Sequence, residues 1–196
     1  MASSTPIQTD NFQPYPERKR FTVHDFHAMI EAGVFHEDDR LELVDGEIIE
    51  MTPIGKKHVV CVRRLTTFFA RNLPEDVSLD VQNPLTLTEE REYYPDLMLV
   101  RTVADDDEDI AAPNDVLLAV EVSDSTLRFD RTVKLPSYAE AGMPEVWIVD
   151  LQQERILVHR DPLDGVYGQV EEIKKGDNLM VAALDSVELT VADIFL

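Results

Sequence analysis

The chain has 196 residues and a mass of 22.3 kDa, a length that favours one domain with a substantial hydrophobic core. Hydrophobic residues make up 44% of it, and no apolar stretch is long enough to span a bilayer, so we expect no membrane insertion. The net charge of −21 at pH 7 argues against nucleic-acid binding through the whole surface, because phosphate contacts require Lys and Arg. A nucleic-acid function would need a local basic patch or a metal ion.

The sequence predicts an N-terminal arm followed by one folded domain. Residues 1–20 are polar, contain proline and have no hydrophobic periodicity, so we predict a mobile arm there. Residues 21–196 are predicted to form a single domain. The arm has no secretory signal pattern, and Cys61 is the single cysteine, which excludes an internal disulfide and a cysteine-based zinc site. We therefore expect a protein of the reducing cytoplasm.

The first predicted elements are a helix and a hairpin. Thr22 and Asp25 have the spacing of a capping box, and apolar residues then recur at helical spacing up to Gly33. Residues 41–51 form two alternating runs around Asp45-Gly46, a dipeptide that favours a two-residue β-turn. With that turn, Val44 pairs with Glu47 and Glu42 with Ile49.

A longer helix is predicted over residues 56–73, ended by Pro74. Its predicted inner face consists of Val59, Val62, Leu65, Phe68 and Phe69. Strands are predicted over residues 77–87, 95–101, 115–123 and 145–151. The last three have nearly continuous apolar runs, which indicates that both faces are covered and that they are central in the sheet.

The rest of the chain completes an α/β (α+β) fold, with a mixed central sheet flanked by helices. Residues 105–109 are acidic and predict a solvated loop, and residues 155–190 predict short antiparallel strands. A helical stretch near residues 130–141 ends at Gly142. Pro136 would interrupt it, so we expect a turn to about residue 135 and a helix that Pro136 opens.

Two of the central strands each carry one carboxylate. Alternation places Asp96 with Met98 and Val100 on one face, and Glu121 with Leu117 and Ala119 on one face. An unpaired carboxylate among apolar residues is costly, so we expect each acid to pair with a base or to bind a metal. Two acids on neighbouring strands can bind Mg²⁺, a hard cation that takes oxygen ligands. The later helical stretch could fold Lys134 back over the strand ends.

These segments resemble the Uma-two family of restriction endonucleases, a branch of the PD-(D/E)XK nuclease superfamily. The resemblance covers roughly residues 20–160. It rests on YPDLMLV, LLAVEVSDST and DRTVKLPSYAEAGMPEVWIVDL, together with LELVDGE and the Gly55–His58 stretch. It implies a restriction-endonuclease-like fold in which Asp96 and Glu121 are metal ligands. The superfamily lysine should fall at Ser123, and in the Uma-two pattern it has moved to the following helix, at Lys134.

The resemblance also implies a reaction, the metal-dependent hydrolysis of phosphodiester bonds in DNA with Mg²⁺ or Mn²⁺. Lys134 would orient or activate the attacking water and offset phosphate charge. His58, near a helix start, would support the site or contact phosphate. The first acid of the superfamily maps to Glu42 or, as the alternative, to Glu47. Cleavage of both strands would favour a homodimer, since a two-fold assembly presents two sites.

Each candidate residue also has a structural interpretation. Asp96 could be a turn residue, His58 a solvated or structural histidine, and Glu42 part of the polar side of the hairpin. Lys134 could be an exposed helix lysine with Tyr138 as its packing neighbour in the core. The corresponding alternative function is a catalytically silent nuclease-fold module that binds proteins or regulates them. The charge of −21 supports that alternative.

Overall fold

The computed structural model describes residues 18–36, 38–102 and 111–195. The predicted loop at residues 105–109 and residues 1–17 of the predicted arm lie outside these ranges. Within them, no helix combines the length and the hydropathy that crossing a membrane requires.

The helices and strands follow one another in the order in which the chain runs. The helices are α1 (Val23–Glu31), α2 (Lys56–Asn72), α3 (Leu127–Phe129) and α4 (Leu135–Glu140), with a π-helical turn, Asp130–Lys134, between the last two. The first strands are β1 (Leu41–Val44), β2 (Glu47–Glu50), β3 (Val77–Asp80), β4 (Leu85–Thr88), β5 (Arg91–Tyr93) and β6 (Leu97–Arg101). The later strands are β7 (Val116–Ser123), β8 (Glu145–Asp150), β9 (Arg155–Leu163), β10 (Val166–Lys174), β11 (Asn178–Val181) and β12 (Leu184–Thr190).

A six-stranded mixed sheet forms the centre of the fold, with the order β10-β9-β8-β7-β6-β3. Strands β7 and β8 are parallel, and the other neighbours in this sheet are antiparallel. The predicted central position of β6, β7 and β8 is confirmed. Their apolar residues are covered by α2 and the β11-β12 pair on one face, and by α4 and the four-stranded sheet β2-β1-β5-β4 on the other. This arrangement confirms the predicted α+β class with extra antiparallel strands.

The two locally encoded elements near the start of the described chain are confirmed. The Thr22 hydroxyl accepts from the backbone N–H of Asp25 and the Asp25 carboxylate accepts from that of Thr22, so the capping box begins α1. The hairpin has the predicted register, with Glu42 opposite Ile49 and Val44 opposite Glu47. Its turn works because Asp45 and Gly46 both have positive φ, at 49° and 74°.

Two strand predictions need correction. The predicted strand at residues 77–87 is divided between β3 and β4, which belong to different sheets. The chain turns between them, where Gln82 has a φ of 53° and Pro84 lacks the N–H needed for sheet pairing. In β7 the register shifts beside Leu117, because Leu99 pairs with Leu118 whereas Val100 pairs with Val116. Leu117 is therefore the extra residue of a bulge, packs with the opposite hydrophobic cluster, and does not share a face with Ala119.

Two helix predictions also need correction. Val59 is 50% exposed, because it lies about 160° around α2 from the buried Cys61 and about 120° from the buried Leu65. Pro136 does not open a helix after a turn, since the chain is already helical from Leu127. The chain reaches Pro136 through the π-helical turn, in which the Leu135 N–H donates to the Asp130 carbonyl five residues earlier.

Candidate active site

A pocket of about 130 Å³ lies where the strands of the central sheet meet the hairpin and the π-helical turn. Its lining includes all five residues predicted to be catalytic, Glu42, His58, Asp96, Glu121 and Lys134. The alternative first acid, Glu47, does not line it and instead lies 3.6 Å from Arg18 and 3.4 Å from Arg20. Strand β1, helix α2, strand β7 and the segment before β6 therefore converge with the π-helical turn on one site.

Lys134 supplies a buried positive charge to this site. Its Nζ lies 2.8 Å from Glu42 Oε1 and 3.2 Å from Glu121 Oε1, and its side chain is only 3% exposed. The alternative of an exposed helix lysine is therefore wrong. Burial alone would lower the pKa of Lys134, but the carboxylates of Glu121, Glu42 and Asp130 outweigh it and raise that pKa above its ordinary value. The neighbouring carboxylates therefore keep the Lys134 ammonium protonated.

Glu121 has the most perturbed environment of the acids. Burial in β7 raises its pKa well above the ordinary value, and nearby Asp130, Asp96 and Glu42 raise it further, against the opposing charge of Lys134. The Tyr138 hydroxyl donates a hydrogen bond to Glu121 Oε1. Tyr138 is fully buried, as the core interpretation requires, and it also holds a site carboxylate in place. A cation bound at Glu121 would lower this pKa, as Lys134 does.

Asp96 is stabilised as a carboxylate. Its Oδ2 accepts from the Val122 backbone N–H at 2.8 Å and lies 3.0 Å from His58 Nε2, while Oδ1 accepts from the Gln82 amide at 3.2 Å. Burial would raise the pKa of Asp96, but the hydrogen bonds from His58, Val122 and Gln82 outweigh it and lower that pKa. His58 and Gln82 thus orient Asp96 and keep it ionised.

Asp130 is an acid of the site that the sequence did not single out. Its Oδ2 accepts from the Ser123 and Thr126 hydroxyls, each at 2.7 Å. Ser123, at the position of the superfamily lysine, therefore serves to anchor the π-helical turn. The spacing offered one signal for Asp130, since it lies four residues before Lys134, on the neighbouring turn of the same helical segment.

The donor set suits a hard divalent cation. Carboxylates of Glu42, Asp96, Glu121 and Asp130 line the pocket, all at least 95% buried, and face the single buried ammonium of Lys134. Among the described residues, Glu42 Oε2 has no hydrogen-bond partner although it is buried. Oxygen donors with excess negative charge match Mg²⁺ and Mn²⁺. No three His, Cys, Asp or Glu side chains in the described ranges form a complete ligand group, so water or substrate oxygens would have to complete the shell.

Comparison with known proteins identifies the fold and the family of this chain. A crystal structure described as "a putative nuclease belonging to DUF820", from Anabaena variabilis, matches with a TM-score of 0.66 at 14% sequence identity. The match covers 89% of this chain and 97% of that chain, which confirms the restriction-endonuclease-like fold. No curated protein matches. Residues 23–192 match the family model Uma2, described as "Putative restriction endonuclease", and the chain therefore belongs to the Uma2 family.

Proposed function

We propose that this protein is a metal-dependent endonuclease that hydrolyses phosphodiester bonds in DNA. The observation that carries the proposal is the position of the Lys134 ammonium, 2.8 Å from Glu42 and 3.2 Å from Glu121, in the pocket that Asp96 also lines. A lysine among buried acids is the combination that phosphodiester hydrolysis uses, because the acids can hold a metal while the ammonium faces developing negative charge. Membership of the Uma2 family supports the same reaction class.

Asp96 and Glu121 are the proposed ligands of Mg²⁺ or Mn²⁺, and the free Oε2 of Glu42 is available to the same ion. When bound, such an ion lowers the pKa of water and polarises the phosphoryl group. The lowered pKa of Asp96 keeps its carboxylate ionised before any cation arrives. Asp96 is therefore the residue whose removal should weaken metal binding most.

The other residues of the site fix the positions of these carboxylates and supply positive charge. His58 and Gln82 fix the carboxylate of Asp96, and Tyr138 fixes that of Glu121. Lys134 contributes the ammonium that orients water and stabilises charge on the phosphoryl oxygens. Glu42 aims that ammonium, since its Oε1 is the nearest carboxylate oxygen to Nζ.

A cleavage assay with Mg²⁺ or Mn²⁺ on mixed DNA and RNA substrates tests the proposal. We expect Asp96→Ala and Glu42→Ala to lose cleavage by orders of magnitude, because both acids belong to the site. Glu47→Ala is the matched control, since Glu47 lies on the same hairpin but outside the pocket. Equal activity of Asp96→Ala and the parent would overturn the assignment, and cleavage of RNA alone would overturn the choice of DNA.

Metal binding can be tested without cleavage. Calorimetry with Mn²⁺ should show binding to the parent chain that is strongly weakened in Asp96→Asn, which keeps the side-chain shape but not the charge. Binding of equal affinity in the two proteins would remove Asp96 from the metal site.

The second candidate function is a catalytically silent nuclease-fold module with a protein-binding or regulatory role. It is favoured by the net charge of −21 and by the lack of a complete three-ligand group among the described residues. A folded parent protein that binds no Mn²⁺ and cleaves no nucleic acid would support it. A parent protein that cleaves DNA with Mn²⁺ would exclude it.

Assembly belongs to the proposal as well. Cutting both strands of a duplex would require two copies of the site, and a homodimer supplies them by symmetry. Sedimentation of the protein at micromolar concentration, alone and with substrate, measures that assembly directly.

A further inference from the structure

A second and larger cavity of about 890 Å³ lies beside the active-site pocket, between α1 and the β1-β2 hairpin. The two cavities have Arg40, Glu42, Met51 and Tyr94 in common, so they are adjacent. The larger one is within the size range of sites that bind small organic ligands. A group attached to a phosphate in the active site would therefore have room to extend into it.

The lining of the large cavity suits a flat aromatic ring. Phe35 and Tyr94 contribute aromatic surface, and Ile30 and Met51 contribute aliphatic surface. Phe26 is fully buried and packs on Phe35 with ring centroids 6.2 Å apart, so the position of Phe35 is supported from beneath. Aromatic side chains held in this way are platforms on which nucleobases stack.

The charges of the cavity specify which part of a nucleotide enters it. Glu31, Asp38 and Asp39 line it and would repel a phosphate, whereas a neutral base meets no such repulsion. Arg40, at the junction with the active site, donates from Nη1 to the Thr52 carbonyl at 3.1 Å and makes no ion pair with the described residues. Its charge is available to a phosphate at the junction.

We propose that this cavity binds the base of an unpaired nucleotide adjacent to the phosphate that is cleaved, with Arg40 against the intervening phosphate. The inference rests on the proposed nuclease function and names its substrate class, namely single strands, flaps or unpaired positions. A base inside an intact duplex is paired and stacked and cannot reach the cavity without being extruded. Gln82 couples the two sites, because it lines the base cavity and its amide donates to Asp96.

Neutral nucleosides test the base cavity without metal and without cleavage. The full chain, labelled at its methyl groups, is titrated with adenosine, thymidine and, separately, ribose, and methyl chemical shifts are recorded. We expect saturable shifts at Ile30 and Met51 with both nucleosides and none with ribose. Val34, which is 61% exposed and outside the cavity, should not respond. Absence of saturable shifts at Ile30 and Met51, or an equal response to ribose, would overturn the proposal.

Two variants and a competitor complete the test. Phe35→Ala should weaken nucleoside binding at least about fivefold, as expected for loss of a stacking platform, whereas Val34→Ala should leave it unchanged. Ile30→Glu, at a side chain that is 45% exposed, should also weaken nucleoside binding. This variant tests the cavity if Phe35→Ala proves poorly folded. An oligonucleotide with uncharged methylphosphonate linkages should displace adenosine as a single strand but not when annealed to its complement. Parental binding by Ile30→Glu, or equal displacement by the duplex, would contradict the inference.

These outcomes are separate from those of the cleavage assay. Nucleoside binding without any metal-dependent cleavage would refute the proposed function and leave the base cavity standing. Cleavage that depends on Asp96 without nucleoside binding would refute the base cavity alone.

Discussion

Replacing Lys134 with methionine removes the ammonium of the candidate active site while keeping an apolar stem of similar length. Glu121 and Glu42, which are 4% and 3% exposed, then lose the cation that they share. Breaking a buried ion pair by removing one partner costs about 3–5 kcal/mol, because the remaining charge has neither water nor a counterion. We expect the free energy of unfolding at pH 7 to fall by that amount, a large share of the about 5–15 kcal/mol of an ordinary domain.

The loss should depend on pH in a definite direction. Lys134 is the charge that opposes the raised pKa of Glu121, so its removal raises that pKa further in the folded state. Between the ordinary pKa of the unfolded chain and the raised pKa of the folded one, the folded state holds one more proton. Binding of that proton contributes its full share to the free energy of unfolding below the pKa that Glu121 has in the unfolded chain. This contribution is lost as the pH rises through the pKa that Glu121 has in the folded chain, by at most about 1.4 kcal/mol per pH unit. The stability of Lys134→Met should therefore approach that of the parent as the pH falls through the raised pKa of Glu121.

Urea denaturation at several pH values, followed by the fluorescence of the fully buried Trp147, measures both effects. Lys174→Met is the matched control, because the Lys174 side chain is 73% exposed and its contact with Glu172 is 3.8 Å long. That control should change the free energy of unfolding by less than about 0.5 kcal/mol. A change this small in Lys134→Met at pH 7, or a loss that does not vary with pH, would refute the reasoning.

Three further predictions concern neighbouring features. Tyr138→Phe removes a donor to the buried Glu121 and should lower the free energy of unfolding by about 1–3 kcal/mol, measured with urea; no loss would show that this hydrogen bond contributes nothing. His58→Leu removes a hydrogen bond that lowers the pKa of Asp96, so the acid limb of the pH–cleavage profile should move to higher pH; an unmoved limb would contradict this role. A chain that begins at Arg18 should keep its melting temperature within about 2 °C, since the preceding residues lack apolar periodicity; a larger drop, measured by calorimetry, would show that they stabilise the fold.

The fold was predictable where its determinants are local. The capping box of Thr22 encodes the start of α1, and the Asp45-Gly46 turn encodes the β1-β2 hairpin. The helix begins where the box predicts, and the hairpin has the expected register. The bulge at Leu117 was not predictable, because it depends on how β6 and β7 pair and not on the alternation within either strand. The division of residues 77–87 could have been anticipated, since Pro84 is a poor residue for the middle of a paired strand.

Part of the candidate site was predictable from the cost of burying a carboxylate and from the family resemblance. Asp96 and Glu121 stand out because a carboxylate in an apolar strand is costly without a partner, and the resemblance to the Uma-two family directed attention to Glu42 and Lys134. The ion pair between Glu42 and Lys134 could not be predicted from their spacing in the sequence, since β1 and the π-helical turn are brought together only by the tertiary fold. Asp130 resembles any polar helix residue until its contacts with Ser123 and Thr126 are known.

The π-helical turn makes the site sensitive to the number of residues in one short segment. A π-helical turn holds one residue more than an α-helical turn, and each residue of an α-helix advances the chain by about 100°. Asp130 is anchored upstream by Ser123, while Tyr138 is anchored downstream in the core. A regular α-helix with the same number of residues would turn Tyr138 about 100° further around the helix axis, away from its hydrogen bond with Glu121. The number of residues between Asp130 and Tyr138 thus matches a π-helical turn, and an insertion or a deletion there would have to change the type of helix for both residues to keep their contacts.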